Sequence, residues 1–478
     1  MTSFLFCLIL ALFSGILNET ASAANITTSD SAEFSSSKIL EKAFKVDNYI
    51  RFIKHPDYWN NTVVGGKSRP SNIWTRAVFY EGHMAFYQVS KDTAVFNYSY
   101  NWGKHHKWSM AYGSNNTADG DNQCCGQTYL ELYQITPSTD MTSNIRACLD
   151  NNIAKKYYRN WTWIDAIQMS MPAFAMLGNI TGQSKYYDFM YHSYKYTRDS
   201  LDVTGLYNKQ EGLWWRDKDF NPPFVNSNQK QVYWSRGNGW VYAALVRVLN
   251  ILPKTEPHYQ FYLNDFLQMS KALLACQRQD GFWDSSLADL NEYGGKETSG
   301  TALFIYGFAW GINNNLLDRK DYLAATQKGW AAMSRDAIHD NGFLGWMQGT
   351  GKQPSDGQPL SFTKVPNFED YGAGCVLLAS AESYKLAQTL EKEGEVTEIS
   401  SKTLPEMSVI SLPNSFQVFN AEGCKVTVYN TQGIKMLYDT TISSSNFILP
   451  ANNLKKGIYL VEIKDKQNRR ISINTLIR

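Results

Sequence analysis

Between residues 38 and 386, twelve segments with apolar residues at helical spacing follow one another, separated by polar loops. They cover about 38–55, 73–89, 92–107, 122–135, 139–155, 164–178, 183–199, 237–251, 257–276, 298–313, 319–334 and 370–386. Twelve helices taken in pairs are six hairpins, which is what a closed helical toroid requires. The expected fold is therefore mainly α: an (α/α)6 barrel of six helical hairpins. The even-numbered segments are the more apolar and would form the inner ring, with their N-termini meeting at one end. Trp74, Asp121, Trp161–Asp165, Arg236–Trp240, Glu297–Ser299 and Asp370-Tyr371 would gather there. Each alone is an ordinary cap; six at one mouth outline a pocket, and helix N-termini favour an anionic ligand.

The sixth segment is the most informative. Ile164, Ile167, Met171, Phe174, Ala175 and Leu177 form one broad apolar surface, and Gly178-Asn179 is expected to end the helix. A single carboxylate, Asp165, lies in its first turn, directly after Trp161 and Trp163. On residue type alone an acid there is a helix cap. Indole neighbours add a second reading, because desolvation raises a carboxyl pKa toward the range useful for a general acid.

The formal net charge of +2 leaves no field of one sign, so neither nucleic acid nor an anionic membrane is an expected partner. With 14 Trp, 29 Tyr and 24 Phe, the chain suits stacking on sugar rings, although large helical cores also use such residues. Residues 1–23 read as a secretory signal: the apolar run Phe4–Ile16 precedes Ala21-Ser22-Ala23 and is too short to span a bilayer comfortably. Cys7 lies within it. Cys124, Cys125, Cys148, Cys276, Cys375 and Cys424 show no metal-type spacing and are expected to be buried free thiols. The helical body is assigned to 38–390, a polar linker to 391–407 and a small all-β sandwich to 408–478, where strand-like alternation begins (Lys425–Tyr429, Gly457–Ile463).

In Tyr233–Trp240, two glycines beside Arg236 would allow close backbone approach, and a guanidinium there suits a carboxylate gripped by two parallel hydrogen bonds. The alternative is a tight turn with a structural arginine.

Arg236-Gly237-Asn238-Gly239-Trp240 followed by Val241–Val246, together with Trp163-Ile164-Asp165 and Glu297–Ala302, resembles glycoside hydrolase family 105, the sister of family 88. The resemblance covers roughly 38–388 and implies the same (α/α)6 barrel. It also implies a substrate, an oligosaccharide left by a polysaccharide lyase and ending in a 4,5-unsaturated uronic acid. An acid protonates C4 of the enol ether, water adds at C5, and the hemiketal falls apart to release the sugar. The acid–base residue matches Asp165, and a second family aspartate matches Asp121. By the same resemblance Arg236 would hold the uronate carboxylate and Trp163, Trp215 and Trp240 would stack on the sugars. Trp74, Arg216 and Ser299 complete the expected substrate-binding set. No metal or organic cofactor is called for. Arg216 stands where family members carry a histidine, which leaves the neighbouring sugar open; an extra cation suits a sulfated or more acidic substrate, as in ulvan.

The tail, with Val428-Tyr429-Asn430-Thr431-Gln432-Gly433 and Leu454–Tyr459, resembles the C-terminal sorting domain of the type IX secretion system, implying export to the outer surface through that machinery. An accessory β-sandwich that binds carbohydrate or nothing is the alternative. Two rival functions remain: an inverting glycosidase, whose carboxyl groups would stand about 6.5–9.5 Å apart, and a non-catalytic carbohydrate-binding protein with no use for Asp165.

Overall fold

The computed structural model describes residues 28–57, 60–394, 407–412, 415–430, 434–455, 457–464 and 470–477. The expected signal (1–23) and most of the expected linker (395–406) lie outside the described residues. Each of the twelve periodic segments is helical. The first is α2 (Ser36–Asn48), which widens into a π-helical turn over Tyr49–Lys54 and is preceded by the short α1 (Thr28–Glu33). Then come α3 (Trp74–Ser90) and α4 (Thr93–His105), and the next segment divides into α5 (Gly120–Gln123) and α6 (Cys125–Ile135). After α7 (Thr139–Ala154), α8 (Asp165–Thr181) and α9 (Lys185–Asp199) follow α10 (Ser235–Ile251), α11 (Tyr259–Ala275), α12 (Thr298–Asn313), α13 (Arg319–Asp336) and α14 (Asp370–Glu393).

Helices α3, α6, α8, α10, α12 and α14 pack each on the next, and α14 closes back on α3. Their hairpin partners α4, α7, α9, α11, α13 and α2 lie against them on the outside. The ring closes because the inner helices are apolar all round: Asp165–Gly178 of α8 and Thr298–Ile312 of α12 are buried without a break. The two ends of the ring differ. At one end the connections are short (91–92, 136–138, 182–184, 252–258, 314–318). At the other, where the inner helices begin, they are long (55–73, 106–119, 155–164, 200–234, 276–297, 337–369). Long loops on a rigid ring are where side chains for binding can be placed, so the mouth lies at that end. Two small hairpins stand in those loops: β1 (Thr62–Val64) with β2 (Lys67–Arg69), and β3 (Tyr207–Asn208) with β4 (Leu213–Trp214).

Helix α8 departs from expectation at two points. It passes through Gly178-Asn179 to Thr181, and Gly182 ends it in the left-handed region at φ +66°. Gly178 is needed for packing instead, since a Cβ there would lie 2.4 Å from the Tyr187 ring of α9. Pro172 sits inside the helix and cannot donate to the Gln168 carbonyl. That carbonyl accepts from Gln127 Nε2 of α6 at 2.8 Å, so the break in one helix becomes a tie to the next.

The tail forms two antiparallel sheets from β5 (Ser408–Leu412), β6 (Ser415–Phe419), β7 (Lys425–Asn430), β8 (Lys435–Thr441), β9 (Asn446–Pro450), β10 (Gly457–Lys464) and β11 (Arg470–Ile477). Their orders are β5-β6-β9 and β11-β10-β7-β8, around a core of its own that includes Phe416, Val418, Val428 and Val461. Among the described residues no helix is long and apolar enough to cross a membrane, and of the six described cysteines all but Cys276 are buried.

Candidate active site

The first turn of α8 is strapped by the chain that follows β4. Ile164 N donates to the Arg216 carbonyl at 3.0 Å, and Trp163 pairs with Asp217 as an isolated antiparallel bridge. Asn238 of α10 holds β4 from behind, accepting from Trp214 N at 2.8 Å and donating to its carbonyl at 3.0 Å. The Arg216 guanidinium is thereby aimed at Asp165. Its Nε donates to Asp165 Oδ2 at 3.1 Å and its Nη1 to Asp217 Oδ2 at 2.6 Å. Asp165 is only 6% exposed. Burial pushes its carboxyl above the usual range, while the nearby Arg216 and the more distant Arg236 pull it back.

Asp121 reaches the same place because Gly120 lets α5 settle on α8. A Cβ at Gly120 would lie 3.2 Å from the Ala166 carbonyl oxygen, tighter than packing ordinarily allows. Asp119 caps α5 by accepting from Asp121 N at 2.9 Å. The half-buried Asp121 carboxyl is pushed up to about 7, first by burial, then by the negative charges of Asp119 and Asp165, against Arg216 and Arg69. Burial thus raises Asp165, and the charge of Asp165 helps to raise Asp121.

A group protonated more readily in the folded state stabilises the fold below its unfolded pKa, and that stabilisation fades as pH rises through the folded value. For Asp121 the window runs from the ordinary carboxylate range up to about 7. Asp121→Asn is accordingly expected to raise Tm relative to the unsubstituted chain more at about pH 8 than at about pH 5, as scanning calorimetry would measure.

The remaining expected site residues divide by exposure. Trp74 and Trp163 are half-buried at the mouth, and Trp74 stacks on Tyr371 with centroids 5.2 Å apart. Trp240 is fully buried and meets those two rings edge-on, at 6.4 and 6.1 Å, so it backs the aromatic wall rather than facing a ligand. Trp215 is 6% exposed and its Nε1 is spent on Gln231 Oε1 at 2.7 Å. Ser299 is fully buried; its hydroxyl donates to Glu297 Oε1 at 2.6 Å within the cap of α12.

Arg236 is the main correction. It has no solvent exposure, and Nη1 and Nη2 donate to the carbonyls of Gln348 and Gly349 at 2.8 and 2.7 Å. The guanidinium is sandwiched between Trp234 and Tyr371, 4.6 and 4.8 Å from the ring centroids. It therefore pins the loop before α14 to α10 and is not presented as a carboxylate clamp. The neighbouring glycines serve packing: a Cβ on Gly237 would lie 2.8 Å from the Trp234 ring, and one on Gly239 would lie 2.8 Å from Leu303 of α12. Arg236→Met is expected to cost about 2–4 kcal/mol in denaturant unfolding, because the buried Gly349 carbonyl loses its donor and the Gln348 carbonyl keeps only Tyr371 Oη. KM of the folded variant should hardly change.

Tyr371 lies at the mouth with Trp74; Arg69, Asp119 and Asp217 complete it and were not singled out from the sequence. Arg69 has a detectable local signal, since Val63-Val64-Gly65-Gly66 is a two-residue hairpin pattern. Among the described residues no group of three or more His, Cys, Asp or Glu could hold a metal ion.

A six-hairpin helical ring with buried acids and aromatic rings at a loop-built mouth is the architecture of a carbohydrate-active enzyme. The model of Glycosyl Hydrolase Family 88 matches residues 46–387, and the chain belongs to that family. A secretion system C-terminal sorting domain matches residues 406–477. The unsaturated 3S-rhamnoglycuronyl hydrolase of Formosa agariphila is 36% identical over 233 residues, 48% of this chain and 59% of that protein. The match thus spans less than two thirds of that relative. A protein of the same name from Alteromonas sp. is 27% identical over 338 residues, 66% of this chain and 78% of that one. The solved structure of a glycosyl hydrolase family 88 protein from Bacteroides vulgatus superposes with a TM-score of 0.67 at 30% identity, covering 74% of this chain and 99% of the other.

Proposed function

We propose that the chain removes a 4,5-unsaturated uronate from the non-reducing end of oligosaccharides produced by a polysaccharide lyase. The observation that carries this reading is Asp165: a carboxyl raised by burial at an inner-helix N-terminus, close enough to Asp121 for their charges to interact. An enol ether is weakly basic, so its protonation needs an acid of raised pKa held at the reacting carbon. Asp165 gives its proton to C4. Water then adds at C5 and returns a proton to the Asp165 carboxylate, and the resulting hemiketal opens to release the sugar.

Arg216 takes the role first expected of Arg236. Its side chain keeps 20% exposure and lies between Asp165 and Asp217. A substrate carboxylate arriving there competes with Asp165 for the guanidinium, and loss of that partner favours the protonated acid. Trp74 and Trp163 offer ring surface to the sugars. The two relatives named for 3S-rhamnoglycuronyl substrates support a sulfated rhamnose next to the uronate. The tail serves as an export address to the cell surface, in keeping with the matched sorting domain.

Lyase-generated ulvan oligosaccharides, followed by the ultraviolet absorbance of their conjugated double bond, test the reading. Loss of absorbance with release of the next sugar is expected. Turnover confined to saturated oligosaccharides would point to an inverting glycosidase, and binding without any turnover would remove the catalytic assignment.

A further inference from the structure

One turn below the acid pair lies a buried carboxylate that the reaction does not use. Glu81 of α3 has no solvent exposure, and each of its oxygens accepts from a residue next to one of the acids. Oε2 accepts from Gln168 Nε2 of α8 at 2.7 Å, and Oε1 accepts from Cys124 Sγ, at the joint of α5 and α6, at 3.2 Å. Gln168 stands three residues after Asp165, and Cys124 three residues after Asp121. Three residues is close to one helical turn, so each tie falls on the face that carries the acid above it. Cys124 keeps helical dihedrals, φ −51° and ψ −44°, so the turn that begins at Asp121 is unbroken.

Glu81 also belongs to the helix that begins with Trp74. Seven residues separate the two, which is two turns along one face of α3. A single side chain thus links the helix of the aromatic wall to the helices of both acids. The surroundings show what this carboxylate is not needed for. Arg247 of α10 donates through Nη2 to Glu131 Oε1 at 2.9 Å and through Nε to Gln127 Oε1 at 3.0 Å, while its Nε stands 3.9 Å from Glu81 Oε2. Arg247 therefore has a carboxylate of its own in Glu131 and does not require Glu81 for neutralisation. Packing does not call for an acid here either, since a buried carboxylate is costly and an apolar side chain of similar volume would fill the space.

The geometry points to Glu81 as a positioning residue: by holding Gln168 and Cys124 together, it sets Asp165 and Asp121 at the separation and depth at which they meet a sugar resting on Trp74. It touches no substrate and gives up no proton. The inference rests on Asp165 acting as the acid, as proposed above.

Glu81→Met tests this, made both in the unsubstituted chain and in Asp165→Asn, with turnover of lyase-generated oligosaccharides followed by absorbance. The substitution removes both acceptors at similar volume and leaves Arg247 paired with Glu131. Calorimetric titration with a disaccharide hydrogenated across the double bond counts the competent sites, so that kcat is expressed per site and a loss of folded protein does not enter it. Misplacing a reacting group by about 1 Å costs on the order of 10²-fold, so kcat per site is expected to fall about 10- to 100-fold. KM should stay within about threefold, because the sugar-binding surface is untouched. In the Asp165→Asn background the same substitution should cost less than about threefold, since the group it positions has already lost its chemistry. Glu81→Gln, which keeps one acceptor and the original size, repeats the comparison in case Glu81→Met does not fold; its expected fall is about fivefold, the worth of one hydrogen bond. A loss of equal size in both backgrounds, or kcat per site within about twofold of the unsubstituted chain in the folded variant, would overturn the proposal. Turnover retained in Asp165→Asn alone is read in the same assay and would count against the reaction proposed above.

Discussion

Asp165→Asn is expected to leave a folded barrel that binds lyase products and consumes almost none of them. An amide cannot deliver a proton to C4 or take one back from water, and positioned acid–base groups contribute roughly 10²–10⁴-fold to rate. A fall of about 10³-fold or more in kcat is therefore expected, with KM changed by no more than about threefold. Stability should move the other way. Burial raises the carboxyl, so its ionised form opposes folding above the ordinary carboxylate range, and the neutral amide removes that opposition at neutral pH. Arg216 keeps its 2.6 Å bond to Asp217 when Asp165 loses its charge, so the strap over α8 stays anchored. Absorbance assays beside thermal unfolding separate the two effects. A kcat loss below about tenfold would take Asp165 out of the acid's role.

The ring and its mouth were legible because their signals are local. Apolar residues at helical spacing mark each helix wherever its partners lie, and twelve such segments in pairs leave few other ways to bury them. The burial of Asp165 was legible for the same reason, since its indole neighbours lie within four residues. What the sequence hid depends on distant groups. Gly178 looks like a helix stop until Tyr187 of the next helix is seen against it. Arg236 looks like a free clamp because its partners are backbone carbonyls at 348 and 349, and a carbonyl has no residue identity to read. The buried state of Trp240 and Ser299 follows from the closure of the ring, which no local pattern reports. Arg216 stood out as a motif substitution, but its grip on both Asp165 and Asp217 required the strap to be folded.

Replacing Arg216 by glutamine should alter both substrate affinity and the pH profile, and the two readouts together identify its role. Loss of a charged hydrogen-bond partner for a carboxylate costs about 1.5–3 kcal/mol, or roughly a 10- to 100-fold rise in KM. The pH effect follows from the opposing charge. In the unsubstituted enzyme Arg216 is the foremost influence lowering the Asp165 carboxyl against burial. Without it that carboxyl titrates higher. The active form carries the proton, so activity falls as pH rises through this value, and kcat/KM reports the free enzyme in which the pair is intact. The alkaline limb of kcat/KM is therefore expected to move to higher pH in Arg216→Gln. Arg216→Lys keeps the charge but not the planar two-point grip, so its limb should stay close to the original while KM remains raised. A purely structural Arg216 would lower Tm and leave the limb where it was. A raised KM with an unmoved limb in Arg216→Gln would mean that the guanidinium serves the substrate and has no hold on the acid.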